Sequence, residues 1–190
     1  MSRDADTADE ELMLRYRDGD AGAFDVLYRR HKGGLYRYLL RQCRDPAAAE
    51  ELYQDVWMNL IRARGSYEVT AKFTTYVYRL AHNRLIDHYR KNAHGAALSY
   101  DDETGPQIDE PAAPLQSQPE ANYDIRQLAA RLMSLLAELP EAQREAFVLH
   151  QEAGMGIEEI AAATGVTRET AKSRLRYAMA KLRRGMSEWR

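Results

Sequence analysis

The sequence predicts an all-α protein: two small helical domains joined by an acidic, flexible linker, with a helix-turn-helix in the C-terminal domain. Three observations lead there. Apolar residues recur every three or four positions through nearly every patterned stretch, the repeat of a helix with one buried face. No stretch shows sustained strand alternation bounded by hairpin turns. The periodicity stops after Lys91, where Gly95, Gly105, Pro106, Pro111, Pro114 and Pro119 oppose regular structure. The 190 residues divide into a first domain over 1–92, a linker over 93–122 and a second domain over 123–190, each able to bury a modest core.

In order along the chain, Asp9 is placed to cap a short helix through Leu12, Met13 and Tyr16 that ends near Gly19. A longer helix from about Ala21 carries Phe24, Leu27, Tyr28, His31, Leu35, Tyr38 and Leu39 on one face. Asp45-Pro46 restarts the chain, with Asp as N-cap and Pro at the first helical position. The third helix turns Ala49, Leu52, Tyr53, Val56 and Leu60 inward and ends near Gly65. A fourth, from about Ala71, sets Tyr76, Leu80, Asn83 and Asp87 along one line, with Val77, Leu85 and Ile86 elsewhere on its surface. Helicity returns near Tyr123, with Ile125, Leu128, Ala129, Leu132 and Leu135 spaced for a buried face. Leu139-Pro140 closes that helix, and another runs from Glu141 to about Gln151.

The formal net charge of −2 averages over segments of opposite sign. Asp101, Asp102, Glu103, Asp109, Glu110, Glu120 and Asp124 crowd a stretch without Lys or Arg, whereas Val166–Met186 is basic and only Glu169 opposes it. Such segregation predicts a basic surface for a polyanion and an acidic connector that avoids it. Cys43 is the only cysteine, so neither a disulfide framework nor a cysteine-rich metal site is expected. No apolar run reaches the roughly 18 residues of a membrane span. The opening Met-Ser-Arg-Asp-Ala-Asp is not that of a signal peptide, which predicts a cytoplasmic protein.

The stretch from Ile157 to about Arg184 carries the helix-turn-helix. Ala161 permits close helix approach, Gly165 suits the left-handed backbone of a tight turn, Val166 plugs the corner, and Thr167 can cap the next helix. That helix buries Ala171, Leu175, Ala178 or Met179, and Leu182, and presents Arg168, Glu169, Thr170, Lys172, Ser173, Arg176 and Tyr177, with Arg174 at the margin. In a major groove its N-terminal residues meet base edges and the surrounding phosphates. Arg168, Lys172 and Arg176 suit guanine or phosphate, Glu169 can accept from cytosine, and Thr170 or Ser173 can serve either purpose.

The run Leu139-Pro140-Glu141-Ala142-Gln143-Arg144-Glu145-Ala146-Phe147, with Ile157-Glu158-Glu159-Ile160-Ala161 and Ala171-Lys172-Ser173-Arg174-Leu175, resembles region 4 of an extracytoplasmic-function sigma factor. Ala49-Glu50-Glu51-Leu52-Tyr53-Gln54-Asp55-Val56 and Tyr76-Val77-Tyr78-Arg79-Leu80-Ala81-His82-Asn83 through Ile86-Asp87 resemble region 2 of that family. The resemblance implies a subunit that directs core RNA polymerase to promoters. Region 4 would read the −35 element as duplex, and region 2 would read the −10 element as separated strand. The implied partners are the coiled coil of the largest polymerase subunit, the polymerase flap, promoter DNA in both forms and an anti-sigma factor, with no membrane and no cofactor. Glu51, Gln54 and Asp55 are the implied polymerase contacts, and Lys72, Tyr76, Arg79, Asn83, Arg84, Arg90 and Lys91 the implied −10 contacts. Asn83 and the Gly65–Phe73 loop are the candidates for holding an extruded base.

Cations along a backbone with aromatic faces, here Tyr76, Tyr78 and Tyr89, suit single-stranded nucleic acid. Tyr76, where the family usually has Trp, fits either stacking or core packing. Asp87 is placed to orient Arg84 or Arg90. Ala171 stands where the family more often has Val or Ile, which predicts a loosened seat for the recognition helix. The family's linker threads towards the polymerase cleft; its carboxylates here can imitate a nucleic-acid strand there or simply keep a tether extended.

Two other classes fit less of the sequence. His31, His82, His88, His94 and His150 form no His-x-x-x-His or Glu-x-x-His pair, and no phosphate-cradling loop or nucleophile elbow is present, so no enzyme and no metal site is expected. A dimeric repressor would have no use for the basic and aromatic fourth helix.

Overall fold

A computed structural model describes residues 6–95 and 119–188, with side chains over 6–92 and 125–188. The carboxylates expected to tether or to mimic a strand therefore lie outside the residues whose side chains are described. Eight α-helices run through the described residues: α1 (Asp9–Arg17), α2 (Ala21–Cys43), α3 (Pro46–Ala63), α4 (Phe73–Gly95), α5 (Pro119–Ala137), α6 (Glu141–Ala153), α7 (Ile157–Thr164) and α8 (Arg168–Ser187). A short 3₁₀ turn, Arg64–Ser66, follows α3.

Capping residues set most of these limits. Asp20 starts α2 by accepting from the Ala23 N–H at 3.3 Å, and Asp45 starts α3 by accepting from the Ala47 N–H at 2.9 Å, with Pro46 at the first helical position. Asp9, expected as the cap of α1, is instead its first residue; Ala8 holds the cap position. The Asp9 carboxylate is occupied by His31, 2.6 Å away, and by Arg30, so a tertiary contact has displaced a local one. Helix α5 starts at Pro119 rather than near Tyr123; a proline reads as a breaker within a helix but as a favoured first residue at its start.

In the N-terminal half, Leu12, Met13, Leu27, Leu35, Leu39, Ala49, Val56, Leu60, Phe73 and Val77 are completely buried. On α4 the buried side is Phe73, Val77, Ala81 and Leu85, spaced by four, with Tyr78. The line of Tyr76, Leu80, Asn83 and Asp87 lies on the opposite flank, where Tyr76 and Leu80 are half-buried and Asn83 and Asp87 exposed. Trp57, which the inward list for α3 omitted, is buried, while Tyr53 is only half-buried.

The C-terminal helices do not stand apart from this core. Helix α6 packs on α2, and α7 packs on α4. Ala146, Val148, Leu149, Met155 and Ile160 join the N-terminal residues in one continuous apolar cluster. A second, smaller cluster of Leu135, Leu136, Leu139, Ala178 and Leu182 fixes α5 and α8 to each other. The first half of the apolar stripe on α5 is not covered: Ile125 and Leu128 are exposed, and burial begins near Leu132.

Candidate nucleic-acid interface

The turn between α7 and α8 is built as its residue types require. Gly165 ends α7 at φ +66°, a backbone that costs glycine nothing. Thr167 Oγ1 accepts from the Thr170 N–H at 3.2 Å and lies 2.9 Å from the Thr170 hydroxyl, so both threonines serve the start of α8. Ala171 is completely buried, and no gap opens to solvent at the seat expected to be loose. Ala178 and Leu182 complete the buried side, Leu175 is half-buried, and Met179 is surface. Opposite Ala171, Glu169, Lys172 and Arg176 are exposed, with Ser173 half-buried between them and Arg174 half-buried at the margin. Arg176 lies over the ring of the exposed Tyr177, 5.0 Å from its centroid. The outer face of α8 is therefore a cationic, hydrogen-bonding surface backed by a buried inner face.

A second surface lies on α4. Tyr76, Arg79, Asn83 and Arg90 follow one another at steps of three, four and seven residues, which places them on one strip of the helix. Arg79, Asn83 and Arg90 are exposed, and Tyr76 is half-buried beside them. Arg84 sits about 100° round the helix from Asn83, where it faces Asp87 at 3.8 Å, and Lys91 continues that side. The α4 candidates thus fall into two strips. Tyr78 belongs to neither: it is buried edge-on against Tyr38 and has no face to offer a base. Tyr89 is half-buried and donates its hydroxyl to the Gln42 carbonyl at 3.0 Å.

Between α3 and α4, the Gly65–Phe73 loop is anchored by Tyr67, buried edge-on against Tyr76 with ring centroids 5.1 Å apart. Burial pushes the Tyr67 hydroxyl up to about 12, aided by the nearby Glu10 carboxylate. Tyr76 is thus partly in the loop's packing and partly at the surface. The loop's tip, Glu68, Val69 and Thr70, is exposed. On α3, Glu51, Gln54 and Asp55 are all exposed, and Gln54 donates to Glu50 at 3.0 Å.

Comparison with known proteins gives the family. The sigma-70 region 2 family model matches residues 27–95 and the sigma-70 region 4 model matches residues 129–182. The RNA polymerase sigma factor CarQ of Myxococcus xanthus is 33% identical over 176 residues, covering 93% of this chain and 96% of CarQ. This chain belongs to the extracytoplasmic-function sigma factors. SigM of Mycobacterium tuberculosis, an ECF RNA polymerase sigma factor, is 31% identical over 180 residues, covering 93% of this chain and 84% of SigM. Two solved structures share the fold. CnrH in complex with the cytosolic domain of CnrY has a TM-score of 0.68 at 22% identity, covering 96% of this chain and 99% of CnrH. The sigma factor RpoE of Bartonella quintana, in complex with the anti-sigma factor NepR, has a TM-score of 0.71 at 21% identity, covering 86% of this chain and 96% of RpoE.

Sequence reasoning about this sigma factor missed the polar contacts between regions 2 and 4. Glu145, buried on α6, accepts from the Tyr38 hydroxyl at 2.6 Å and from His82 Nδ1 at 2.7 Å. Glu152 takes Arg37 at 2.8 Å and also Arg41. Arg144, buried, donates to the Leu139 carbonyl within region 4 and to the Gln42 carbonyl at the end of α2, both at 3.2 Å. Lys72 of the region 2 loop pairs with Glu159 of α7 at 2.8 Å, so one −10 candidate is held by region 4. Among the described residues no group of three or more His, Cys, Asp or Glu is arranged to hold a metal ion, and no helix is long and apolar enough to cross a membrane.

Proposed function

We propose that this chain guides core RNA polymerase to its promoters by a two-point grip, acting in the cytoplasm as a binding subunit and not as a catalyst. Residues 1–92 act as region 2, 123–190 as region 4, and 93–122 as the linker. The outer face of α8 carries the reading: Arg168, Glu169, Lys172, Ser173 and Arg176 form the surface that enters the major groove of a duplex −35 element, flanked by Thr170, Arg174 and Tyr177. The strip of Tyr76, Arg79, Asn83 and Arg90, with the Gly65–Phe73 loop, holds the separated −10 strand, while Lys72, Arg84 and Lys91 follow its backbone. Extruding a base costs a few kilocalories per mole, which stacking and polar contacts in that loop must offset.

Glu51, Gln54 and Asp55 form an acidic strip suited to a basic surface of the polymerase coiled coil, and region 4 meets the flap. CnrH and RpoE are each bound by a second protein in their solved structures, NepR being an anti-sigma factor; a partner of that kind is proposed here too.

In-vitro transcription with core polymerase tests the reading. Purified protein is expected to confer initiation on a subset of a genomic promoter library. Asn83→Ala is expected to block open-complex formation on duplex promoters while leaving −35 binding intact. Tight, sequence-specific binding of the free protein to intact duplex, with no effect on polymerase, would indicate a repressor instead.

A further inference from the structure

Helix α1 converges on the Gly65–Phe73 loop at three points. The Glu10 carboxylate accepts from the backbone N–H of Phe73, the first residue of α4, at 2.5 Å. Arg17 donates to the Tyr67 carbonyl at 3.4 Å. The Arg64 guanidinium lies over the Tyr16 ring, 5.4 Å from its centroid. Arg64, Tyr67 and Phe73 stand just before the loop, within it and at its end, so both feet and one inner point are held. The tip is left free, with Val69 51% exposed.

The Phe73 contact answers a local need. A helix leaves its first N–H groups without partners inside the helix, and the residue before it ordinarily supplies a side-chain oxygen. Lys72 occupies that position here, preceded by Ala71, and neither has a side-chain acceptor. The cap of α4 therefore comes from a residue 63 positions away in the chain. Glu10 sits in the first turn of α1, on a helix anchored by the completely buried Leu12 and Met13, so its backbone is fixed relative to the core.

We infer that Glu10 is a positioning residue for −10 recognition: by capping α4 from α1 it sets the conformation of the loop that grips the extruded base, without touching DNA. The inference rests on the proposed role of the Gly65–Phe73 loop. A loop already held in its binding conformation does not spend binding free energy on ordering itself, so loss of the cap appears as weaker −10 binding.

Holoenzymes assembled from core polymerase and the wild-type, Glu10→Ala, Glu10→Gln, Val69→Ala or Thr70→Ala chain provide the test. Each is titrated with a single-stranded −10 oligonucleotide carrying 2-aminopurine at the extruded position, and each sigma chain is titrated separately with core polymerase and with duplex −35 DNA. Glu10→Ala is expected to weaken −10 binding by up to roughly five-fold, the factor reached when the whole free energy of a lost cap falls on ordering the loop, and to reduce the extrusion signal. Core and −35 binding should stay unchanged. Glu10→Gln keeps an acceptor oxygen and is expected to restore most of the −10 affinity. Equal losses in the Ala and Gln variants, or parallel losses at −10 and −35, would overturn the role of the cap. If Val69→Ala or Thr70→Ala weakens −10 binding and Glu10→Ala does not, the inference about Glu10 fails alone. If neither loop variant has an effect, the reading of the loop fails and the inference falls with it.

Discussion

Arg168, the first residue of the recognition helix, is already paired in the free protein. Its guanidinium donates to Glu158 of α7 at 2.6 Å and to Glu169 at 3.3 Å. The hydrogen bond between Glu158 and Arg168 is the main reason that the carboxyl lies below, and the guanidinium above, their usual ranges. A phosphate approaching Arg168 has to displace a carboxylate first. Exposed pairs of this kind contribute little to stability, so Glu158→Gln is expected to leave the melting temperature nearly unchanged. Its effect should appear in DNA binding, as a roughly two- to five-fold gain in duplex affinity. The slope of log K against log salt should steepen by up to about one, the increment for one further phosphate neutralised. A salt titration in which the variant and the wild type coincide would remove Arg168 from the phosphate contacts. The exposure of Arg168 is legible in the helical period, because that period gives the face. Its partner is not, because the period is silent on which side chain across a turn reaches back, and Glu10 and Phe73 escape for the same reason.

At the scale of elements, caps and periods locate the helices well. Asp45-Pro46, Thr167, Gly165 and Leu139-Pro140 act as their types dictate, because capping is local chemistry that needs no knowledge of the fold. Packing distance is different, and Gly185 shows it. In sequence it is a glycine near the end of a helix with no evident role. In the fold, a Cβ built there would lie 2.4 Å from Leu135 Cδ2 and 2.9 Å from Cδ1, so this glycine lets α5 sit against α8. Two effects then compete in Gly185→Ala. Helix propensity favours alanine by about 1 kcal/mol, and overpacking costs about 1–3 kcal/mol. The second equals or exceeds the first, so the variant is expected to lose between about 0 and 2 kcal/mol, least where the tip of the Leu135 side chain turns away. Leu135→Ala has its own cost of about 2–5 kcal/mol as a buried leucine. In that background Gly185→Ala should cost less, because the atoms in conflict are then gone. Denaturant unfolding of the two single variants and the double measures the coupling; additive losses would mean that the close approach of α5 has no energetic weight.

At the scale of the whole molecule, the two regions share a core, and the period of each helix carries no sign of it. Tyr38 reads as a core residue in either case; that it shares a core with Leu149, Met155 and Ile160 depends on how separate segments meet. The docking also has a functional cost. The two promoter elements lie apart along a DNA axis that rises 3.4 Å per base pair, whereas α7 rests on α4 and its Glu159 holds Lys72 of the loop. On the two-point grip proposed above, reaching both elements entails parting the regions, and the buried polar contacts then set how readily they part. Glu145 is central, since one carboxylate oxygen takes both Tyr38 and His82. Glu145→Ala leaves that hydroxyl and ring without an acceptor, a loss of about 1–3 kcal/mol for a buried donor. The variant is expected to populate an open arrangement, seen as a larger radius of gyration in small-angle scattering and a longer distance between labels on α3 and α8. Acid should act in the same direction through Glu159. Hydrogen bonds from Lys72 and then from the Gly156 N–H hold its carboxyl below the usual range. Only the Lys72 contact depends on docking, because Gly156 belongs to the start of the same helix. The carboxylate favours docking at pH values above its undocked pKa, and that contribution fades as pH falls through the docked value. From pH 8 to 5 this pair should therefore leave the distance constant. On further acidification its contribution, small for a pair with so exposed a lysine, should fade and favour separation, with Glu159→Gln removing that part of the acid response. A Glu145→Ala chain as compact as the wild type at neutral pH would show that the apolar contact and the remaining polar pairs hold the regions together without Glu145.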